Sequence, residues 1–289
     1  MMKRIWQLRY ASAFVSLLAA FAVYSFQARA EDLSGLAAAL DEAARTAIEA
    51  RETAGLQVAV YKDGAPLLVK GYGLANLEWN IPVTNDTVFR IGSITKQFPA
   101  VVLLLLQEEG KLSLDDKLAK YYPSFPRAAD ISLKQMLHHT SGLHNYTADK
   151  VFDERDQMLR QTTDEWVEYF ARMPKTQDFE PGTSWNYSNT AYYLLGAIIE
   201  KVEGKPLAKV LEERLFKPLG MTRTALDDEY DVVPNRASGY GVDEQGQFIN
   251  ARFISMTAVG AAGAMRSTAS DLMRWTPPYS AARCSSPNP

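Results

Sequence analysis

Residues 89–96 read FRIGSITK, and a strongly apolar run follows them. The run predicts a buried helix over Ile94–Glu109, with a local kink at Pro99. A helix that begins near Ser93 carries Lys96 one turn further on, on the same face as the serine. A lysine ahead of a fully apolar helix is more readily buried than solvated, and burial lowers its pKa. The two residues therefore have the chemistry of a nucleophile and its proton acceptor.

A second polar stretch, residues 180–190, reads EPGTSWNYSNT and precedes a buried helix predicted over Thr190–Val202. A loop braced by such a helix can hold a phenol and an amide rigidly. Tyr187 can take a serine proton and pass it to a leaving group, and Asn189 can hydrogen-bond the lysine and a substrate carbonyl. The structural alternatives are Tyr187 as packing, Asn189 as a helix cap, and the first motif as a capping serine beside a solvated lysine.

Together the two motifs are far more specific than either alone, and they resemble the serine β-lactamases and penicillin-binding proteins. The narrower resemblance is to class C β-lactamases, DD-carboxypeptidases and related esterases, in which Tyr-x-Asn is the second motif. Further text similar to that family is LHHTSGL at 137–143, PLGM at 218–221, GAAG at 260–263 and STASDL at 267–272. The resemblance covers roughly Leu33 to Trp275.

The resemblance implies a β-lactamase/transpeptidase-like fold, α/β of the α+β type, with a helical domain against an antiparallel sheet. It implies that Ser93 is acylated, with Lys96 and Tyr187 as its proton-transfer partners and Asn189 as a substrate-binding residue. The backbone amide of Ser93 would form half of an oxyanion hole. The implied reaction is hydrolysis of a β-lactam, a D-Ala-D-Ala-type peptide or a small ester, with no cofactor and no metal.

One departure from the family is large. Its third motif, a Lys-Thr-Gly or His-x-Gly triplet on a strand beside the serine, has no counterpart here. After Trp275 the chain continues as a Pro/Ser-rich tail, 276–289, which we expect to be disordered or aberrant. We therefore expect an incomplete β-lactamase-related domain over 31–275, lacking its C-terminal sheet strands, with a truncation or frame change near Trp275. The alternative function is a catalytically impaired or inactive fragment that retains ligand binding.

Local patterns predict the other elements. Apolar residues at helical spacing indicate a helix over 33–53, and two β-rich runs around an Asp-Gly turn indicate a hairpin over 56–70. Thr162 and Glu165 have the spacing of a capping box, and a further helix is predicted over Pro206–Phe216.

The first thirty residues combine a basic start, an apolar stretch over about 11–26 and a small-x-small site at 28–30. This pattern predicts a signal peptide over 1–30, a periplasmic or secreted chain, and no stable membrane anchor after cleavage. The alternative is an uncleaved anchor, for which the apolar run is short. The net charge of −3 gives no electrostatic case for nucleic-acid binding, and the resemblance implies a small-molecule or peptide substrate. Cys284 is the only cysteine, so no internal disulfide can form. Nothing in the pattern indicates an oligomeric state.

Three histidines, His138, His139 and His144, lie close together in the sequence. They raise the alternatives of a metal site or of an esterase with a Ser-His-Asp triad. The chain contains no His-Glu-x-x-His pattern and no Gly-x-Ser-x-Gly elbow. We therefore interpret the histidines as scaffolding of a loop.

Overall fold

The computed structural model describes residues 34–62 and 65–276. The predicted signal peptide over 1–30 lies outside the described residues, as does the tail from residue 277 onwards. The Asp-Gly pair of the predicted turn, at 63–64, is outside them too. The described residues confirm an α/β fold, in which helices form the larger part and the strands form small antiparallel sheets.

Ten α-helical segments occur among the described residues. They are α1 (34–49), α2 (Gln97–Glu108), α3 (Leu133–Leu137), α4 (Lys150–Glu154), α5 (Thr163–Ala171), α6 (Asn189–Glu203), α7 (Leu207–Leu211), α8 (Lys217–Leu219), α9 (Met256–Val259) and α10 (Ala269–Trp275). Short 3₁₀ turns lie at Gly92–Lys96, Leu118–Lys120, Tyr146–Ala148, Asp156–Met158 and Gly260–Ala262, and a π-helical turn at Glu212–Phe216. No helix within the described part of the chain is long and apolar enough to span a membrane.

The strands of the described residues form three antiparallel sheets. The strands are β1 (Gly55–Lys62), β2 (Ala65–Asn76), β3 (Ile81–Pro82), β4 (Phe89–Arg90), β5 (Ala225–Leu226), β6 (Tyr240–Val242), β7 (Phe248–Asn250) and β8 (Met265–Ser267). Their orders are β1-β2-β3, β4-β8-β5 and β6-β7. The hairpin predicted over 56–70 is confirmed by the pairing of β1 with β2, which has an irregularity between Val60 and Tyr61.

The sheet of β4, β8 and β5 leads the chain into the first polar motif. Phe89 pairs with Ser267, and just beyond the strand the amide of Ile91 donates to the carbonyl of Met265 at 2.9 Å. Gly92 follows with φ +50°, a left-handed conformation that suits glycine. The glycine turns the chain out of the strand and directly into the 3₁₀ turn that carries Ser93.

Helix α6 is the centre of the helical body. Its residues Thr190–Ile199 are all buried, and α2, α3, α5 and α7 pack around it. Gly196 lets the turn Gly260–Ala262 approach closely, because a Cβ at Gly196 would lie 2.4 Å from the Cβ of Ala261. The helix ends at Gly204, whose φ of +64° is the left-handed cap expected of a glycine at this place.

The predicted helices over 94–109 and 206–216 differ from those observed. The first begins as a 3₁₀ turn and becomes α-helical only at Gln97, so Pro99 falls in the first turn of α2. Proline is tolerated in the first turn of an α-helix. The second splits into α7 and a π-helical turn. The capping box of Thr162 and Glu165 is confirmed.

The close approach at Gly196 generates a prediction. The change Gly196→Ala should lower the free energy of unfolding by about 1–2 kcal/mol, because the cost of overpacking exceeds the gain in helix propensity. Urea unfolding followed by circular dichroism measures the effect. The matched control is Gly35→Ala in α1, where a Cβ would meet nothing within 4 Å, and which should leave stability unchanged or slightly raised. Equal stability of the two variants would contradict tight packing of α6 on the turn.

Candidate active site

Ser93 and Lys96 lie on the 3₁₀ turn between β4 and α2. A 3₁₀ helix has three residues per turn, so side chains three positions apart eclipse each other. The Nζ of Lys96 accordingly lies 3.3 Å from the Oγ of Ser93. Thr95 ties the turn to strand β8. Its side chain is fully buried, and its Oγ1 accepts a hydrogen bond from the Met265 amide at 3.1 Å.

The ammonium of Lys96 is buried among oxygens and aromatic rings. It donates to the Oδ1 of Asn189 at 2.7 Å and to the carbonyl oxygen of Ala262 at 2.6 Å. It also lies 4.6 Å from the ring centre of Tyr187 and 5.4 Å from that of Tyr192. No carboxylate of the described residues pairs with it, and burial lowers the pKa of Lys96 from 10.5 to about 8.

The phenol of Tyr187 is the second group that contacts the serine. Its hydroxyl donates to the Oγ of Ser93 at 2.7 Å, so the oxygen receives hydrogen bonds from both Tyr187 and Lys96. Lys96 or Tyr187 can accept the serine proton once that residue has lost its own proton. The geometry is therefore that of a serine held between two proton-transfer groups.

Asn189 is not the helix cap that one alternative interpretation made it. Ser188 caps α6 instead, accepting a hydrogen bond from the Ala191 amide at 3.1 Å. Asn189 is the first helical residue, and its Nδ2 donates to the Oγ1 of Thr147 at 2.9 Å. This bond orients the amide so that its oxygen faces Lys96, and the structure thus brings all four predicted site residues together.

The three histidines do not converge on the serine. His138 is exposed, and the Nδ1 of His144 pairs with the Oδ1 of Asp178 at 2.7 Å. His139 packs beneath Tyr187, with 4.6 Å between the ring centres. Within residues 34–62 and 65–276, no group of three or more His, Cys, Asp or Glu side chains could hold a metal ion.

The mouth of the site is open. Ser93 is exposed, and so are Ile94 beside it, at 42%, and Trp185 on the opposite loop, at 63%. Among the described residues, the nucleophile and these two neighbours are thus accessible to solvent.

Comparison with known proteins decides the family. The family model described as Beta-lactamase matches residues 40–286 of this chain. The chain belongs to the beta-lactamase family. The domain bounds given above, 31–275, remain a prediction.

Curated proteins with several different names are similar to the chain. Esterase EstB of Burkholderia gladioli is 34% identical over 204 residues, which are 66% of this chain and 51% of that protein. The teichoic acid D-alanine hydrolase of Staphylococcus aureus is 31% identical over 189 residues, 65% of this chain and 45% of that protein. The chain thus spans about half the length of the curated relatives it matches.

Solved structures agree on the fold. The octameric penicillin-binding protein homologue from Pyrococcus abyssi superposes with a TM-score of 0.72 at 31% identity, over 82% of this chain and 55% of that one. The D-amino acid amidase from Ochrobactrum anthropi SV3 superposes with a TM-score of 0.70 at 30% identity, over 81% of this chain and 68% of that one. The predicted fold class is confirmed.

Sequence reasoning missed three contacts of the site. These are the Ala262 carbonyl that receives Lys96, the Tyr192 ring beside the ammonium, and Thr147, which orients Asn189. The stretch GAAG at 260–263 marked the place of the first, but a backbone carbonyl has no side-chain signature that would reveal its role.

The burial of Lys96 generates a prediction for its titration. In protein labelled with ¹³C at lysine Cε, one resonance should titrate near pH 8 and be absent from Lys96→Met. Because the folded chain releases this proton near pH 8 and the unfolded chain only near 10.5, the stability of the wild type relative to Lys96→Met should rise between those values. A Lys96 resonance that titrates near 10.5 would mean a solvated ammonium and contradict the geometry.

Proposed function

We propose that the chain is a serine hydrolase that acts through an acyl-enzyme on Ser93. The observation that carries the proposal is the Ser93 Oγ, which is hydrogen-bonded to Tyr187 at 2.7 Å and faces Lys96 at 3.3 Å. A lysine whose pKa is lowered to about 8 by burial holds a usable neutral fraction near neutral pH.

In the proposed reaction, the Oγ of Ser93 attacks a substrate carbonyl carbon while its proton passes to Lys96 or Tyr187. The amide of Ser93, near the start of the 3₁₀ turn, stabilises the oxyanion, since the first amides of a helix have no intrahelical acceptor. The bond to the leaving group then breaks, and the leaving group takes the proton. Water attacks the acyl-enzyme in the same way, releasing the acid and the free serine. Asn189 helps to bind the substrate's amide.

Among the candidate substrates, we favour small activated esters over β-lactams and D-Ala-D-Ala-type peptides. A phenolate leaves without being protonated, so hydrolysis of an activated ester does not need Lys96 or Tyr187 to protonate the leaving group. The names of the relatives, an esterase, a D-alanine hydrolase and a D-amino acid amidase, support ester and amide hydrolysis as the reaction class.

A second candidate is that the chain is acylated or binds ligand but does not turn over, because the family's third motif, which would complete the oxyanion hole, has no counterpart in this sequence. This candidate predicts a stoichiometric adduct without continued product release. We also propose that residues 1–30 direct export, with the mature chain acting in the periplasm or outside the cell.

Hydrolysis of p-nitrophenyl acetate tests the leading proposal. The wild-type kcat/KM should rise with pH through a midpoint near 8, because deprotonation makes Lys96 a base. Ser93→Ala should show only the background rate, and Lys96→Met and Tyr187→Phe should lose about 10²–10⁴-fold.

The control is His138→Asn at an exposed position, which should leave the rate unchanged. A Ser93→Ala variant that keeps the wild-type rate would overturn the proposal. Loss of activity in His139→Ala with full activity in Lys96→Ala would favour a histidine triad instead. A single burst of one product per chain would favour the second candidate.

A further inference from the structure

His139 holds the backbone on both sides of Tyr187. Its carbonyl oxygen accepts a hydrogen bond from the Asn186 amide at 3.0 Å. Its ring atom Nδ1 accepts one from the Ser188 amide at 3.1 Å. The two amides that flank Tyr187 are thus tied to a single residue of another loop.

The ring of His139 also contacts aromatic side chains around the site. It packs against Tyr187 at 4.6 Å and 34°, and against Tyr192 at 5.1 Å and 38°. The edge of Trp185 completes the contact at 6.1 Å and 79°. The hydroxyl of Tyr192 is itself fixed, because it donates to the carbonyl of Leu137 at 3.0 Å. Two of these rings, those of Tyr187 and Tyr192, are the same rings that face the Lys96 ammonium.

The backbone conformation and the protonation state of His139 are both compatible with these contacts. Its φ is +59°, a left-handed conformation uncommon for a residue with a side chain and best tolerated by Asn and Asp among such residues. An Nδ1 that accepts a hydrogen bond requires the neutral ring with its proton on Nε2. Burial and the charge of Lys96 lower the pKa of His139 to about 4, so the ring stays an acceptor at neutral pH.

We propose that His139 is a positioning residue of this active site, which sets the hydroxyl of Tyr187 on the Oγ of Ser93 by holding the Asn186 and Ser188 amides. The inference rests on the proposed function and adds to it a residue that does not touch the reacting atoms. It gives His139, within the LHHTSGL stretch at 137–143, a role in positioning Tyr187 as well as in folding.

Three variants of His139 distinguish the effect of its side-chain hydrogen-bond acceptor from the effect of its positive φ. His139→Asn keeps a side-chain acceptor near the place of Nδ1 and tolerates the positive φ. His139→Gly tolerates the positive φ but has no acceptor. His139→Gln carries its amide one carbon further out. His138→Asn, next along the chain and exposed, is the control.

With p-nitrophenyl acetate, kcat should fall about a hundredfold in the Gly and Gln variants and less than about tenfold in the Asn variant. KM should change by less than about threefold, since His139 acts on the chemical step. Equal loss in the Asn and Gly variants, or a change confined to KM, would overturn the proposal.

Amide hydrogen exchange provides a readout that needs no activity. The Ser188 amide should be protected in the wild type and the Asn variant, and exchange at least about tenfold faster in the Gly variant, because only the Gly variant lacks the acceptor. This result would support the positioning contact even if the chain hydrolysed no ester, in which case the proposed function alone would fail. Equal protection in all three proteins would overturn the inference directly.

Discussion

The burial of the Lys96 ammonium is the interaction on which the rest of the site depends. A charge removed from water must recover its hydrogen bonds, and here it finds them in the Asn189 amide and the Ala262 carbonyl instead of a carboxylate. Neutral oxygens compensate only in part, so the pKa falls to about 8. A carboxylate in their place would hold the lysine charged. The described site therefore keeps a lysine that can give up its proton beside a serine.

This arrangement requires three distant parts of the chain to meet. The β4–β8 pairing aims the 3₁₀ turn, α6 presents Asn189 at its first position, and the turn at 260–262 packs on α6 through the space left by Gly196. The polar contacts of Lys96 thus span 93 and 166 positions of sequence. The burial of α6 fixes the place of Asn189, and the proposed role of His139 is to fix that of Tyr187.

Much of the site could be predicted because its chemistry lies in side chains. Two short motifs contain Ser93, Lys96, Tyr187 and Asn189, and local turn and cap chemistry predicts the hairpin and the capping box. The 3₁₀ start of α2 could not be predicted, since apolar periodicity does not distinguish three residues per turn from 3.6 over one turn. The contact of Lys96 with the Ala262 carbonyl and the hydrogen bonds of His139 to two backbone amides could not be predicted either, because tertiary packing decides which backbone groups meet. Asn189 and Ser188 show the same limit, since either residue type can cap a helix.

The most direct test of the central claim is the intact mass of the folded chain after incubation with an activated phosphonate that reacts with nucleophilic serines, followed by peptide mapping. The account predicts one adduct per chain, located on Ser93, abolished in Ser93→Ala and strongly slowed in Lys96→Met. A folded wild-type chain that forms no adduct, or an adduct that persists in Ser93→Ala, would contradict it.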